Sequence, residues 1–194
     1  LSWGAQAILP SSIKAILVNS ATDLGSTGPD YQYGHGRVET VNAVKKVAIG
    51  SPSYIESQIA HGDVIQYDIT VPGATSRLKV TLAWDDPGGT AISGNTLIND
   101  LDLVLIDPFG AETKPWTMNP AVPSASATRN FNRRDNVETA EVVSPSAGLW
   151  KARVTGFNIP DGPQKFSLVF TPDSIYQPGQ SLAMAVYEEG DQVV

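Results

Sequence analysis

Hydrophobic positions along this chain follow one period before residue 52 and another after it. Between residues 11 and 47 they recur at i, i+3 and i+4, which is typical of amphipathic helices. The first stripe predicts a helix over residues 11–20, which Pro10 opens and in which Ser11 or Ser12 accepts a free backbone N–H. Gly50 and Pro52 follow the second stripe as stop signals. The apolar positions of the two stripes are Ile13, Ile16 and Leu17, then Val38, Val41, Ala43, Val44 and Ala48.

After Pro52 apolar and polar residues alternate, which is the pattern of strands with one buried face. Clusters of Pro, Gly and Asp separate these segments and predict turns. Six or more strands without a helix between them indicate a mainly β fold, an antiparallel β-sandwich or jelly roll. Trp84 and Trp150 fall on the inward phase of their strands, which predicts core positions. The alternating segments are 64–71, 78–84, 101–105, 137–143, 149–156 and 165–170.

We therefore divide the chain into three parts: a helical segment over 1–52, a β-sandwich over 53–172, and a strand or tail over 173–194. Two long connections, 87–99 and 108–136, interrupt the strands. Loops beyond about 12–15 residues are uncommon unless they have a function or are tied down. Trp116 lies in the second connection, where an aromatic side chain is free to bind a ligand.

Composition narrows the function classes. The formal net charge of −7 argues against a nucleic-acid partner, which needs a basic surface. The absence of Cys excludes thiolate metal sites, disulfides and a Cys nucleophile. No apolar run approaches the roughly 18 residues that span a bilayer, so no membrane partner is expected. The start at Leu1, without Met or a leader, is expected to be an internal boundary.

Carboxylate and amide side chains cluster at the start of the predicted strand over 101–105. Asp100 and Asp102 flank one residue and share a face of that strand, where they repel unless a cation or an arginine lies between them. Calcium takes 6–8 oxygen ligands of this kind. One reading is a calcium site; the other is a set of turn caps and salt bridges to Arg129, Arg133 or Arg134. The candidate metal ligands are Asp86, Asn99, Asp100 and Asp102.

Two runs in the helical segment have a family resemblance. Leu17-Val-Asn-Ser-Ala21, followed by Tyr33-Gly-His-Gly-Arg-Val38, resembles the last two helices of a subtilisin-like serine protease catalytic domain and the turn between them. In that family the nucleophile motif precedes this point. The resemblance implies that the catalytic residues lie upstream of Leu1, so that no residue of this chain is catalytic. His35 falls on a packing turn and His61 on a surface turn.

Four runs in the strand-rich part resemble a second module of the same proteases. This module is the β-sandwich appended to bacterial alkaline subtilases, which is related in shape to the P-domain of proprotein convertases. The resemblance covers about residues 62 to 171. The runs are Trp84-Asp-Asp-Pro87, Asn99-Asp-Leu-Asp-Leu103, Asp107-Pro-Phe-Gly110 and Ser146-Ala-Gly-Leu-Trp-Lys-Ala-Arg-Val154.

Together the two resemblances imply the C-terminal region of a secreted subtilisin-like serine endopeptidase, inactive without its catalytic portion. The helices would be the remnant of an α/β catalytic domain. The sandwich would stabilise that domain, with Ca²⁺ as a cofactor, and shape substrate access. Its partners would be the missing catalytic portion of the same protease and, through the parent enzyme, protein substrates. The alternative is a non-catalytic binding module that recognises glycan or protein through its long loops.

Overall fold

The computed structural model describes residues 8–47, 53–89 and 97–171. Both described helices lie at the start of the chain, α1 at Pro10–Ser20 and α2 at Thr40–Lys46, and neither has the length or apolar character of a bilayer-spanning segment. The strands, in chain order, are β1 Tyr54–Ile59, β2 Val64–Val71, β3 Arg77–Trp84, β4 Asp100–Ile106, β5 Glu112–Thr113, β6 Trp116–Thr117, β7 Thr128–Arg129, β8 Val137–Val143, β9 Gly148–Asn158 and β10 Gln164–Thr171.

Eight of these strands form two antiparallel four-stranded sheets. The first, sheet 1, has the order β1-β10-β3-β8, and the second, sheet 2, has the order β2-β9-β4-β5. Apart from the β4–β5 hairpin, each of the eight strands is followed by one in the opposite sheet. This order is that of a jelly roll, which closes two sheets around one core. The predicted mainly β, antiparallel fold is confirmed.

Inward-facing side chains of both sheets form the main core. Its largest fully buried members are Trp84, Tyr67, Phe166 and Phe170. Trp84 and Trp150 are buried as their strand phase predicts, and the indole Nε1 of Trp84 donates to the carbonyl of Asn99 at 2.9 Å. That bond satisfies the polar end of a buried ring. It also fixes the start of β4 against the end of β3.

The sequence pattern misses the first strand and the short strands of the second long connection. β1 pairs with β10, and most of its residues are half-buried. Strict alternation is blurred there because α1 covers part of this sheet. β6 and β7 pair with each other within the second long connection, for which the sequence pattern predicts no strand. The predicted strand at 181–187 lies outside the described residues.

Helix α1 packs on the outer face of sheet 1. Ala15 and Ile16 meet Ala83 of β3, Val137 of β8 and Val169 of β10 in a second apolar cluster. Sheet 1 is therefore covered on both faces, by sheet 2 and by α1. This explains why β3 is buried at every position after Arg77.

Candidate functional site

Apart from Ile16, the residues of α1 that face the sandwich are small or polar. The hydroxyls of Ser11 and Ser12 lie 2.9 and 2.8 Å from the hydroxyl of Ser167 on β10, and Ser12 also donates to Glu56 Oε1 at 2.5 Å. Both serines are fully buried. The prediction that one of them caps the helix is wrong: neither side chain bonds an N–H of the first turn, because both hydroxyls are used across the interface with the sandwich.

Side chains of the sandwich cap α1 at both ends. Asp85 Oδ2 accepts the N–H of Ser11 at 3.1 Å, and Glu56 Oε1 accepts that of Leu9 at 2.8 Å. At the other end, Lys79 Nζ donates to the carbonyl of Val18 at 2.9 Å. Acids at a helix N-terminus and a cation at its C-terminus both complement the helix dipole. The sandwich thus holds α1 by its ends as well as by its side.

Asn19 holds the last turn of α1 to two strands. Its Nδ2 group donates to Lys79 O, Thr81 Oγ1 and Val169 O, at 3.1 to 3.3 Å, and its Oδ1 accepts from Thr171 at 2.5 Å. The residue is buried. A buried amide with all these partners fixes the register of the helix on the sheet.

The opposite side of α1, together with α2, exposes large apolar residues. Ile13 and Leu17 are 49% and 39% exposed, and Val41 and Val44 are 68% and 65% exposed. We call these four residues the outer helix face. Beside it is a groove of about 410 Å³, to which Ile8, Val47 and Tyr54 also contribute. Apart from Ile16, α1 therefore buries small and polar residues against the sandwich and exposes its long apolar ones, Ile13 and Leu17.

A second candidate site lies at the start of β4, where Asp100 and Asp102 face Arg133. Nη1 and Nη2 of Arg133 lie 2.5 and 3.0 Å from Oδ1 and Oδ2 of Asp102, and Nη1 lies 3.1 Å from Oδ1 of Asp100. Both carboxylates are largely buried. Burial raises the pKa of Asp100 to about 6, against the opposing effect of Arg133. Strand β4 and the second long connection are joined by these ion pairs.

The other two predicted metal ligands are engaged with protein groups. Asp86 accepts the N–H groups of Ile98 and Asn99, both at 2.8 Å. The Asn99 side chain donates to Gln164 Oε1 and to the carbonyl of Asp161, and accepts the N–H of Asp161. Over the described ranges, no three His, Cys, Asp or Glu side chains are grouped to hold a metal ion. The calcium site stays a prediction, and this arrangement does not fit it.

A buried acid that the sequence analysis missed, Glu138, lies close to these carboxylates. Its Oε2 accepts the N–H of Leu103 at 2.6 Å, and its Oε1 accepts that of Asn132 at 3.3 Å. Burial raises its pKa well above the usual range, and the charges of Asp102 and Asp100 add to the shift. Glu138 lies on β8 in a segment of alternating apolar and polar residues, and that pattern does not indicate that its side chain is buried or accepts backbone N–H groups. It anchors the second long connection next to Arg133.

A groove of about 570 Å³ opens on the outer face of sheet 2. The long connection contributes Phe131 and Arg133 to it, and the sheet contributes Gln66, Arg153 and Phe157. Phe157 is half exposed. The volume falls within the range of about 300–1,000 Å³ that is usual for ligand sites. We call this feature the sheet groove.

The remaining aromatic and histidine candidates have structural contacts. Trp116 lies against Gly28 and under the guanidinium of Arg129, whose Cζ is 3.4 Å from the ring centroid, so the ring is not the free aromatic that the sequence predicts. His61 Nδ1 accepts the N–H of Ile159 at 3.1 Å from the turn between β1 and β2. Burial lowers the pKa of His35. His35 is half-buried and His61 is exposed, which agrees with the packing turn and the surface turn predicted for them.

Curated proteins similar in sequence come from Dictyostelium discoideum. The chain is 26% identical over 168 residues to the serine protease/ABC transporter B family protein tagA, covering 82% of this chain and 10% of the relative. It is 31% identical over 99 residues to tagB of the same description, covering 50% of this chain and 5% of the relative. The chain thus spans about a tenth or less of the relatives' length. No family model matches it.

Solved structures give only distant similarities. One is the Clostridium perfringens CspB protease, at 10% identity and a TM-score of 0.39 over 66% of this chain and 28% of the protease. Another is the Bacillus licheniformis lipase BlEst2 in its propeptide form, at 18% identity and a TM-score of 0.35 over 63% of this chain and 21% of the lipase. Scores of this size do not establish a common fold. At the level that sequence similarity supports, this chain is related to a segment of proteins named serine proteases.

Proposed function

We propose that this chain is the C-terminal region of a secreted subtilisin-like serine endopeptidase, in which the jelly roll is an accessory module of the catalytic domain. The outer helix face carries the proposal. α1 is fixed to the sandwich by its polar side and presents Ile13 and Leu17, with Val41 and Val44 of α2, to solvent. Contiguous apolar patches of this kind mark interaction sites. The catalytic portion of the same protein is the partner that we assign to it.

In this proposal the module stabilises the catalytic portion by covering apolar surface. Burial contributes about 25 cal/mol for each Å² of apolar surface removed from water. Proteolysis of protein substrates belongs to the parent enzyme, and this chain supplies no catalytic residue to it. An influence on substrate access, expected from the family resemblance, stays a prediction. A stabilising calcium ion is left out of the proposal because its four expected ligands have other partners.

The coding sequence that precedes Leu1 tests the proposal. We expect it to encode a Gly-Thr-Ser-containing nucleophile motif shortly before this chain. A preceding sequence with no such motif and no similarity to proteases would contradict the assignment. The purified 194 residues should show no peptide hydrolysis in either case, so that assay serves only to exclude a hydrolase within the chain.

The sheet groove favours a second candidate function, a module that binds glycan or protein. Aromatic side chains beside polar ones on the face of a sheet suit sugar rings or extended peptides. Binding of the purified chain to insoluble polysaccharides or to an immobilised protein substrate tests this candidate. We expect Phe157→Ala to remove such binding and Phe109→Ala, which changes an exposed ring elsewhere, to retain it. Binding that both variants retain would show that the sheet groove is not the binding site.

A further inference from the structure

We propose that Arg133 is the resident cation of the acidic end of β4 and that this corner of the sandwich folds without a metal ion. This inference does not rest on the proposed function. It concerns the position between Asp100 and Asp102 where the sequence allows either an arginine or a divalent cation. The guanidinium occupies that position and contacts both carboxylates.

The contact between Arg133 and Asp102 has the geometry of a bidentate ion pair. Both amino groups of Arg133 engage both oxygens of Asp102, in the forked arrangement that matches a guanidinium to a carboxylate. The same Nη1 also contacts Asp100, two residues earlier on β4. Burial by itself lowers the pKa of Arg133, but the hydrogen bonds and charges of the two aspartates outweigh it and raise the pKa above its usual value. A lysine at this position could not form the fork.

Two aromatic rings lie against the guanidinium of Arg133, whose side chain is 34% exposed. Its Cζ lies 3.5 Å from the ring centroid of Phe157 and 5.1 Å from that of Phe131, both within the distance of about 6 Å for cation–π contacts. A hydrated divalent ion at this position would have to displace Arg133 from its contacts with both rings. It would also need oxygen ligands beyond the two aspartates, because calcium takes about 6–8 of them.

The remaining oxygens nearby are already used in holding the backbone. Asp86 accepts two N–H groups at the end of the first long connection, and the Asn99 side chain bonds Asp161 and Gln164 at and just before the start of β10. Releasing them for a metal would break those contacts. The second long connection is therefore held on β4 by a side chain of its own, and its order should not depend on calcium.

Thermal unfolding of the whole chain tests this inference. For the natural sequence we expect the same Tm in excess EDTA and in millimolar calcium chloride. We expect Arg133→Gln to lower Tm by about 5 °C or more, because it leaves two buried carboxylates without a counter-ion. Arg134→Gln is the matched control: it makes the same charge change one residue along, where the side chain is exposed, and should leave Tm nearly unchanged.

The following results would decide whether Arg133 or a metal ion balances the charge of Asp100 and Asp102. A calcium-dependent rise in Tm that Asp102→Asn abolishes would overturn the inference, as would equal Tm values for Arg133→Gln and Arg134→Gln. A calcium-dependent rise that Asp102→Asn retains would place an ion elsewhere and leave this corner metal-free. If Arg133→Gln does not fold, Arg133→Lys keeps the charge without the fork, and its Tm should be lower than that of the natural sequence. The comparison of EDTA with calcium needs no variant.

Discussion

The two sides of α1 differ in the kind of residue that they present and in how far it is buried. Towards the sandwich, the helix buries two serines and an asparagine whose side chains are hydrogen-bonded, together with Ala15 and Ile16. Away from it, the helix exposes the residues that a helix normally buries first. The jelly roll closes its own core, whereas the helical segment has apolar surface left over. Burial of one side thus identifies the sandwich as a fixed neighbour, and exposure of the other is the observation from which we propose a further partner.

The largest effect should come from the closed core. Phe166→Ala removes a ring that is fully buried between the sheets and should lower the free energy of unfolding by about 3–5 kcal/mol. Phe109→Ala changes a ring on an exposed turn and should alter it by less than about 0.5 kcal/mol. Urea unfolding of the two variants measures the difference. Similar losses for both would mean that the core is not where the structure places it.

Asn19→Ala tests the bond between α1 and the sandwich. It removes the amide that joins the last helical turn to β3 and β10 and should cost about 1–3 kcal/mol. The amides of α1 should also exchange faster with deuterium. Asn42→Ala, at an exposed position of α2, is the control and should change neither quantity. Unchanged exchange in the Asn19 variant would show that α1 does not depend on this contact.

Lys79 gives the same junction a pH dependence. Burial lowers its pKa to about 8, so between that pH and the higher pKa of the unfolded chain the unfolded state binds more protons. The free energy of unfolding should therefore rise with pH across that window, by at most about 1.4 kcal/mol per unit from this group. Unfolding at pH 8 to 10, compared with Lys79→Met, isolates the contribution. Parallel pH profiles for the two proteins would contradict the assigned burial.

The smallest effect should be at the outer helix face of the isolated chain. Val44→Ala shortens an exposed side chain and should change the free energy of unfolding by no more than about 0.5 kcal/mol. Guanidinium unfolding is sufficient to measure it. A loss above about 1.5 kcal/mol would be typical of a packed residue and would show that the face is already covered within this chain.

Periodicity predicted the jelly roll well because most of its strands have one apolar side and one polar side. The position of α1 could not be predicted in this way. Its apolar stripe places Ile13, Ile16 and Leu17 on one face but does not tell what covers that face, and only Ile16 of the three packs on the sandwich. The helix caps come from Glu56 on β1 and from Asp85 just after β3, far along the chain from α1, and no local pattern reveals them.

The acidic end of β4 was predicted as a place where charge must be balanced, and that much follows from the spacing of Asp100 and Asp102. The choice between an ion and an arginine depends on where residue 133 folds. A connection of this length leaves that position open. From the sequence, Arg133 was one of three arginines that could pair with these carboxylates. In the structure it contacts both aspartates.

One matched pair of variants in the full-length parent protein tests the central claim that the outer helix face docks the catalytic portion. Val41 on α2 and Val143 on β8 are both 68% exposed, so Val41→Asp and Val143→Asp should leave the Tm of the 194-residue chain nearly unchanged. In the parent protein, we expect Val41→Asp to shorten the half-life of proteolytic activity on heating at least severalfold and Val143→Asp to leave it unchanged. Equal half-lives for the two variants would contradict the account.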